Sequence, residues 1–175
     1  FVYVAAQTGV NSFFINYAVE NTGIKSADAS RILGVCGMGL FFAGRMLGSW
    51  IMQYIRAERL LAILALVAAH CSMLVVASPG RVGFTALLIV YFCESIMFPT
   101  IFALALRGLG RRTKIASSLL IMGIVGGAIA PLLMGLIADH SSMAYCFIVP
   151  LVCFFIIAAY GGFVVRRSAR AKHRH

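Results

Sequence analysis

Three polar side chains recur every four residues within the apolar run that opens the chain: Tyr3, Gln7 and Asn11. In an α-helix, residues four positions apart lie on the same face, so these side chains form one polar stripe. Amide groups both donate and accept hydrogen bonds, which suits the hydroxyl groups of a polyol. The alternative is that the stripe holds two helices together, and both interpretations stay open here.

Glu94 is the only acidic residue well inside an apolar run. An ionised carboxylate in hydrocarbon costs several kcal/mol, so a residue of this kind is a functional candidate by default. We expect Glu94 to be protonated, paired with Arg45 or facing a cavity. Tyr91 lies three residues earlier and shares its helical face.

Small residues and prolines indicate candidate packing and hinge positions. Gly44 and Gly48 have the GxxxG spacing that lets helices approach closely, and Arg45 lies between them. We expect Arg45 to reach the inner membrane interface or to pair with an acid. Pro99 and Pro131 lie inside apolar runs, where each removes a backbone hydrogen bond and permits a bend. We interpret these five residues as structural or gating.

The composition indicates the class of protein to which these residues belong. Of the 175 residues, 62% are hydrophobic and 11% are charged, and the mean hydropathy is +0.97. Soluble domains are about half apolar and about a quarter charged, so we predict an integral membrane protein. The five cysteines lie singly in apolar runs and are interpreted as packing residues. No enzyme or metal-site motif occurs, so neither catalysis, nor a metal, nor a cofactor is expected.

Six apolar windows are close to the length of about 20 residues that a membrane-spanning helix needs. Backbone groups in lipid must be satisfied internally, so we predict an all-α polytopic fold. Spans three and six are apolar almost all round and suit lipid-facing positions, whereas the other four carry the polar residues and glycines. A basic cytoplasmic tail follows at 166–175. The six predicted spans are 1–19, 30–55, 60–77, 82–106, 115–138 and 143–165.

The net charge of +10 is interpreted as topological, because the hydropathy argues against a soluble nucleic-acid-binding protein. Three of the fifteen Lys and Arg residues lie on one side of the predicted membrane, and Arg45 lies inside a span. The positive-inside rule then places both ends of the chain in the cytoplasm. The eleven residues on that side are Arg56, Arg59, Arg107, Arg111, Arg112, Lys114, Arg166, Arg167, Arg170, Lys172 and Arg174.

Several segments resemble the fucose permease family of sugar:proton symporters, within the major facilitator superfamily. The run ESIMFPTIF from Glu94 to Phe102 carries most of this resemblance, and Glu94 is similar to the form found in fungal members. Residues 126–139 continue it, and residues 6–17 resemble the seventh helix of the family. Residues 44–48, before a basic loop, resemble the superfamily's short cytoplasmic motif. Two further matching segments are Arg107-Gly108-Leu109-Gly110 and Thr113-Lys114.

The resemblance implies that the six spans are helices seven to twelve, the C-terminal half-bundle of a twelve-helix transporter. That family moves a hexose of the L-fucose, glucose or galactose type together with a proton by alternating access. The implied partners are the lipid bilayer, a small-molecule sugar and an N-terminal six-helix half, with no nucleic acid. The proton is the coupling ion, and the plasma membrane is the expected location.

The resemblance places the proton-carrying acids in the N-terminal half. We therefore expect Tyr3, Gln7, Asn11, Tyr91 and Glu94 to bind or gate the sugar, and the segment around Arg45 to stabilise the outward-facing state. The half alone is expected to be inactive. The alternative is a small six-helix channel or membrane-structural protein that acts as an oligomer. Rings of acids or a TVGYG-like filter would favour a channel, and neither occurs in the sequence.

Overall fold

The computed structural model describes residues 1–106 and 113–172, which are largely helical and contain no strand. Six residues of the motif and its basic loop lie outside the described residues: Arg107, Gly108, Leu109, Gly110, Arg111 and Arg112. So do residues 173–175. The helices of the described chain are α1 (Val2–Thr22), α2 (Ser26–Ile32), α3 (Met38–Ile51), α4 (Ala57–Ala77), α5 (Arg81–Leu106), α6 (Thr113–Met122), α7 (Gly126–His140) and α8 (Ile148–Lys172).

The prediction of an all-α membrane protein is confirmed for the described residues. Helix α1, with 21 residues, corresponds to the first predicted span, and its polar stripe makes it less apolar than the others. The five helical stretches that are long and apolar enough to cross a membrane are Ser26–Ile51, Ala57–Ala77, Arg81–Leu106, Lys114–His140 and Tyr145–Arg166.

Short irregular turns join helices that the sequence predicts as single spans. A π-helical turn at Leu33–Gly37 connects α2 to α3, and a 3₁₀ turn at Gly123–Val125 connects α6 to α7. Such interruptions of the α-helical pattern are common where helices bend or carry function. Helix α1 instead ends at Gly23, whose φ of 71° is the left-handed conformation that glycine adopts most easily.

The core lies where α4 packs against α5 and α8, with α1 covering it. Its largest fully buried side chains include Phe14 from α1, Leu61 from α4, Leu87 from α5 and Phe154 from α8. Lipid is as apolar as these side chains, so close packing rather than escape from water holds such helices together. Helix α4 has one row of side chains buried in this core. The opposite row, which includes Ile63 and Leu66, is exposed.

Helices α3 and α7 expose most of their apolar surface. Only 17% of the apolar window in Ser26–Ile51 and 18% of that in Lys114–His140 are buried, against 50% in Arg81–Leu106. These two stretches therefore form the least covered faces of the described chain. The large exposed side chains on α3 and α7 include Met38, Phe42, Met46, Trp50, Ile129, Leu132, Leu133 and Leu136.

The two ends differ in position from the predicted spans. Phe1 lies beside Gly123 and Gly126, near the middle of the stretch Lys114–His140, so α1 begins level with the centre of that stretch. Helix α8 continues to Lys172, and the predicted tail therefore starts as helix beyond residue 165. The cytoplasmic placement of both ends stays a prediction.

Candidate functional site

Two of the predicted site residues, Tyr3 and Glu94, meet near the midpoint of α5. The Tyr3 hydroxyl donates a hydrogen bond of 2.6 Å to the backbone carbonyl of Glu94. Because α5 has 26 residues and is a candidate membrane span, this contact lies close to the centre of the predicted bilayer region. Secondary transporters bind substrates and coupling ions at that depth.

The Glu94 side chain is enclosed by protein. It is 0% exposed, and neither carboxylate oxygen has a hydrogen-bond partner in the described part of the chain. The sequence left three interpretations of Glu94: protonation, pairing with Arg45 and exposure to a cavity. Pairing with Arg45 does not occur in this conformation, since the ion pairs of the described residues do not include Glu94. An ionised carboxylate at this position would lack both hydrogen bonds and a counter-ion, which is costly.

Arg45 instead rests on two aromatic rings. Its guanidinium carbon lies 5.1 Å from the ring centre of Phe41 and 6.0 Å from that of Phe98. Both distances are within the range of a cation–π interaction, which is about 6 Å. Phe98 also contacts Tyr3, with ring centres 5.9 Å apart. Phe98 therefore joins the predicted gating residue to the predicted substrate-binding residue.

Tyr91 belongs to a second aromatic group, one helical turn away. It makes edge-on contacts with Phe14 at 5.8 Å and with Phe41 at 6.1 Å, and it is 2% exposed. Phe41 is thus shared by Tyr91 and Arg45. The predicted residues Tyr3, Tyr91, Glu94 and Arg45 are brought into one cluster through Phe41 and Phe98.

The rest of the polar stripe lies further along α1. Gln7 and Asn11 are half-buried, and the Asn11 side-chain amide donates a 2.8 Å hydrogen bond to the Gln7 backbone carbonyl. This bond fixes the Asn11 side chain against its own helix. Asn16, further along the same helix, is exposed.

Gly44 and Gly48 lie where α3 crosses α5. A Cβ atom on Gly44 would overlap the Ser95 hydroxyl, and one on Gly48 would lie 2.6 Å from the Ile96 Cγ2 atom. The two helices are therefore as close as glycine allows. Gly44 and Ser95, which meet at this crossing, are the chain neighbours of Arg45 and Glu94. Helix α5 contains Pro99, which cannot donate a backbone hydrogen bond to the Ser95 carbonyl. Pro131 lies inside α7 and has the same effect on the carbonyl of Gly127.

A small apolar cavity opens beside this cluster. Its volume is about 80 Å³, and Tyr3 is the only predicted substrate-binding residue that lines it. Small-molecule sites usually enclose about 300–1,000 Å³, so this cavity does not hold a hexose by itself. The other lining residues are Phe1, Val4, Phe98, Ile101, Phe102, Ile121 and Ile124.

Sequence reasoning missed the role of Phe41 and the contact of Phe98 with Arg45. An aromatic residue four positions before Arg45 is a usable signal, because such spacing allows contact on one helix. The contact between Arg45 and Phe98 depends on how α3 crosses α5, and no local pattern indicates it. In the described chain, no cluster of three His, Cys, Asp or Glu side chains could hold a metal ion.

The comparisons with known proteins agree on one group of transporters. No family model matches the chain. The chain is 40% identical over 163 residues to a glucose/galactose transporter of Brucella abortus (strain 9-941), an alignment that covers 92% of this chain and 39% of that protein. It is 35% identical over 165 residues to the L-fucose-proton symporter of Escherichia coli (strain K12), covering 93% and 37% respectively.

A solved structure gives the same result for the fold. The crystal structure of the major facilitator superfamily transporter FucP in the outward conformation superposes with a TM-score of 0.88 at 35% identity. The superposition covers 93% of this chain and 39% of that one. The chain thus spans about two fifths of the length of the curated relatives it matches.

Proposed function

Because this chain belongs to the fucose permease-like sugar transporters of the major facilitator superfamily, we propose that it is the C-terminal half of a secondary transporter. The complete protein moves a hexose of the L-fucose, glucose or galactose type with a proton by alternating access. The observation that carries this proposal is the TM-score of 0.88 over 93% of the chain. The relatives are named as transporters, which agrees with the expectation that the protein is not an enzyme.

The uncovered faces of α3 and α7 support a missing bundle as the partner. Each is apolar and mostly exposed, and the 80 Å³ cavity between α1, α5 and α6 is too small for a sugar. A second six-helix bundle against these faces would cover them and complete a larger cavity. This half alone has nothing to move against, so we expect it to be inactive without its partner.

The proposed sugar contacts come from the polar stripe on α1 and from the cluster around Glu94. Gln7 and Asn11 are half-buried and offer amide groups to sugar hydroxyls. Tyr3, Tyr91 and Glu94 are 5% exposed or less, so they reach a sugar only when the helices rearrange during alternating access. We assign gating or structural roles to Gly44, Arg45 and Gly48, which lie at the crossing of α3 and α5, and to Pro99 and Pro131, which lie inside helices α5 and α7.

The proposed location is the plasma membrane, with the second and fourth connections and the C-terminal tail on the cytoplasmic side. The excess of basic residues in the second and fourth connections and in the tail supports this orientation. Labelling of single cysteines at Asn21 and at Arg56 with a membrane-impermeant reagent in intact cells tests it. Labelling at Asn21 alone supports the orientation, and labelling at Arg56 alone contradicts it.

The sugar site is tested in the complete transporter, with this chain joined to its N-terminal half. Apparent affinities for L-fucose, glucose and galactose are measured for the wild type, Gln7→Ala and Glu94→Gln. We expect weaker binding of the transported sugar in at least one variant. Asn16→Ala is the matched control, since Asn16 lies on the same helix but is exposed. Unchanged affinity in both variants contradicts the proposed site.

A further inference from the structure

The carboxyl group of Glu94 has no partner in its surroundings. It is completely buried, and both of its oxygens lack hydrogen bonds in the described part of the chain. Charged side chains inside membrane proteins are normally paired, hydrogen-bonded or in contact with water. Glu94 has none of these, although the Tyr3 hydroxyl lies close enough to bond to its backbone carbonyl.

The titratable groups close to Glu94 include Tyr3 on α1, and Tyr91 and Cys93 on α5 itself. The Tyr3 hydroxyl bonds to the Glu94 backbone carbonyl, and the Tyr3 ring contacts Phe98, on which Arg45 of α3 rests. Tyr91 and Cys93 on α5 and Cys71 on α4 are all buried. Cys36 in the π turn and Lys114 on α6 are exposed. The one cation near the acid is therefore Arg45, among the described residues.

Arg45 does not pair with the acid in this conformation. Its guanidinium lies over the Phe41 and Phe98 rings, at 5.1 and 6.0 Å from their centres. Gly44 and Ser95, the neighbours of Arg45 and Glu94, already touch at the crossing. Pro99, one turn beyond the crossing, is a place where α5 can bend.

We propose that Glu94 is a proton-binding site, which is a neutral carboxylic acid in this conformation and is ionised when Arg45 leaves the Phe41 and Phe98 rings and pairs with it. One carboxylate oxygen takes a proton from a hydronium ion, which leaves as water, and forms an O–H bond; when Arg45 supplies the counter-charge, that bond breaks and the proton returns to water as hydronium. The proposed protonation of Glu94 rests only on the geometry of this chain. Its use in coupling sugar movement to a proton rests on the proposed function.

Infrared spectroscopy of the purified chain in lipid bilayers at neutral pH tests the protonation directly. The chain has three glutamates, Glu20, Glu58 and Glu94, so ¹³C labelling of glutamate side-chain carboxyl groups isolates few signals. We expect the wild type to show a ¹³C-shifted carboxylic acid band that disappears in Glu94→Gln. The matched control is Glu20→Gln, which alters an exposed residue at the outer part of α1 and keeps the band.

The folding of each variant is checked separately by circular dichroism. The wild-type spectrum does not depend on any variant. If Glu94→Gln does not fold, the Glu20→Gln/Glu58→Gln double variant leaves Glu94 as the only labelled group. An acid band in that protein supports the proposal. A carboxylate band in place of an acid band overturns it. Since no sugar is present, this result is independent of whether the complete protein transports a hexose.

Discussion

The close crossing of α3 and α5 leads to a specific prediction for Gly48→Ala. Replacing an exposed helical glycine by alanine stabilises a helix by about 0.5–1 kcal/mol. At Gly48, the added Cβ atom would lie 2.6 Å from the Ile96 Cγ2 atom and 3.1 Å from its Cγ1 atom. Overpacking of this kind costs about 1–3 kcal/mol. Gly39, also on α3, has nothing within 4 Å of an added Cβ atom and provides the matched control.

Both substitutions gain the same helix propensity, so the difference between them isolates the clash. We expect Gly48→Ala to be less stable than Gly39→Ala by about 1–3 kcal/mol. Reversible unfolding in mixed detergent micelles, followed by circular dichroism, measures both free energies. A double-mutant cycle with Ile96→Ala then tests the cause, because removing the Cγ atoms should relieve the penalty at Gly48. Equal stabilities of the two glycine variants would refute this packing of α3 on α5.

Two further substitutions test the contacts around α1 and α8 by the same unfolding measurement. Tyr3→Phe removes the donor to a buried α5 carbonyl that keeps its helical hydrogen bond, and should destabilise the protein by about 0.5–1.5 kcal/mol, whereas Tyr54→Phe, at an exposed position, should have almost no effect. Gly161→Val places a Cβ atom 3.0 Å from the Ala62 backbone and should cost about 1–3 kcal/mol or more, but Gly162→Val meets nothing within 4 Å. Equal effects within either pair would contradict the contact concerned.

Hydropathy and helical spacing were sufficient to predict the general fold. The apolar windows predict the membrane helices because every backbone polar group in lipid must be satisfied within its own segment. The isolation of Glu94 in an apolar run indicated an unusual carboxyl group, and it is completely buried. Both inferences use local information, namely residue type and distance along the chain.

The arrangement around Glu94 depends on contacts between distant segments. Tyr3 and Glu94 are 91 positions apart, and their hydrogen bond follows from how α1 packs on α5. The preference of Arg45 for Phe41 and Phe98 over the acid likewise depends on the angle and depth of the α3 crossing. No periodicity in the sequence contains that information, so the sequence left pairing, protonation and cavity exposure as equal alternatives.

The central claim is tested most directly by measuring sugar accumulation in vesicles that contain this chain together with its N-terminal half. Vesicles with the half-bundle of this chain alone, and vesicles with both halves and a protonophore, are the controls. We predict that an inward proton gradient drives L-fucose, glucose or galactose above its external concentration only when both halves and the gradient are present. If both halves are folded and assembled and the gradient drives no accumulation of any of the three sugars, the proposed function is contradicted.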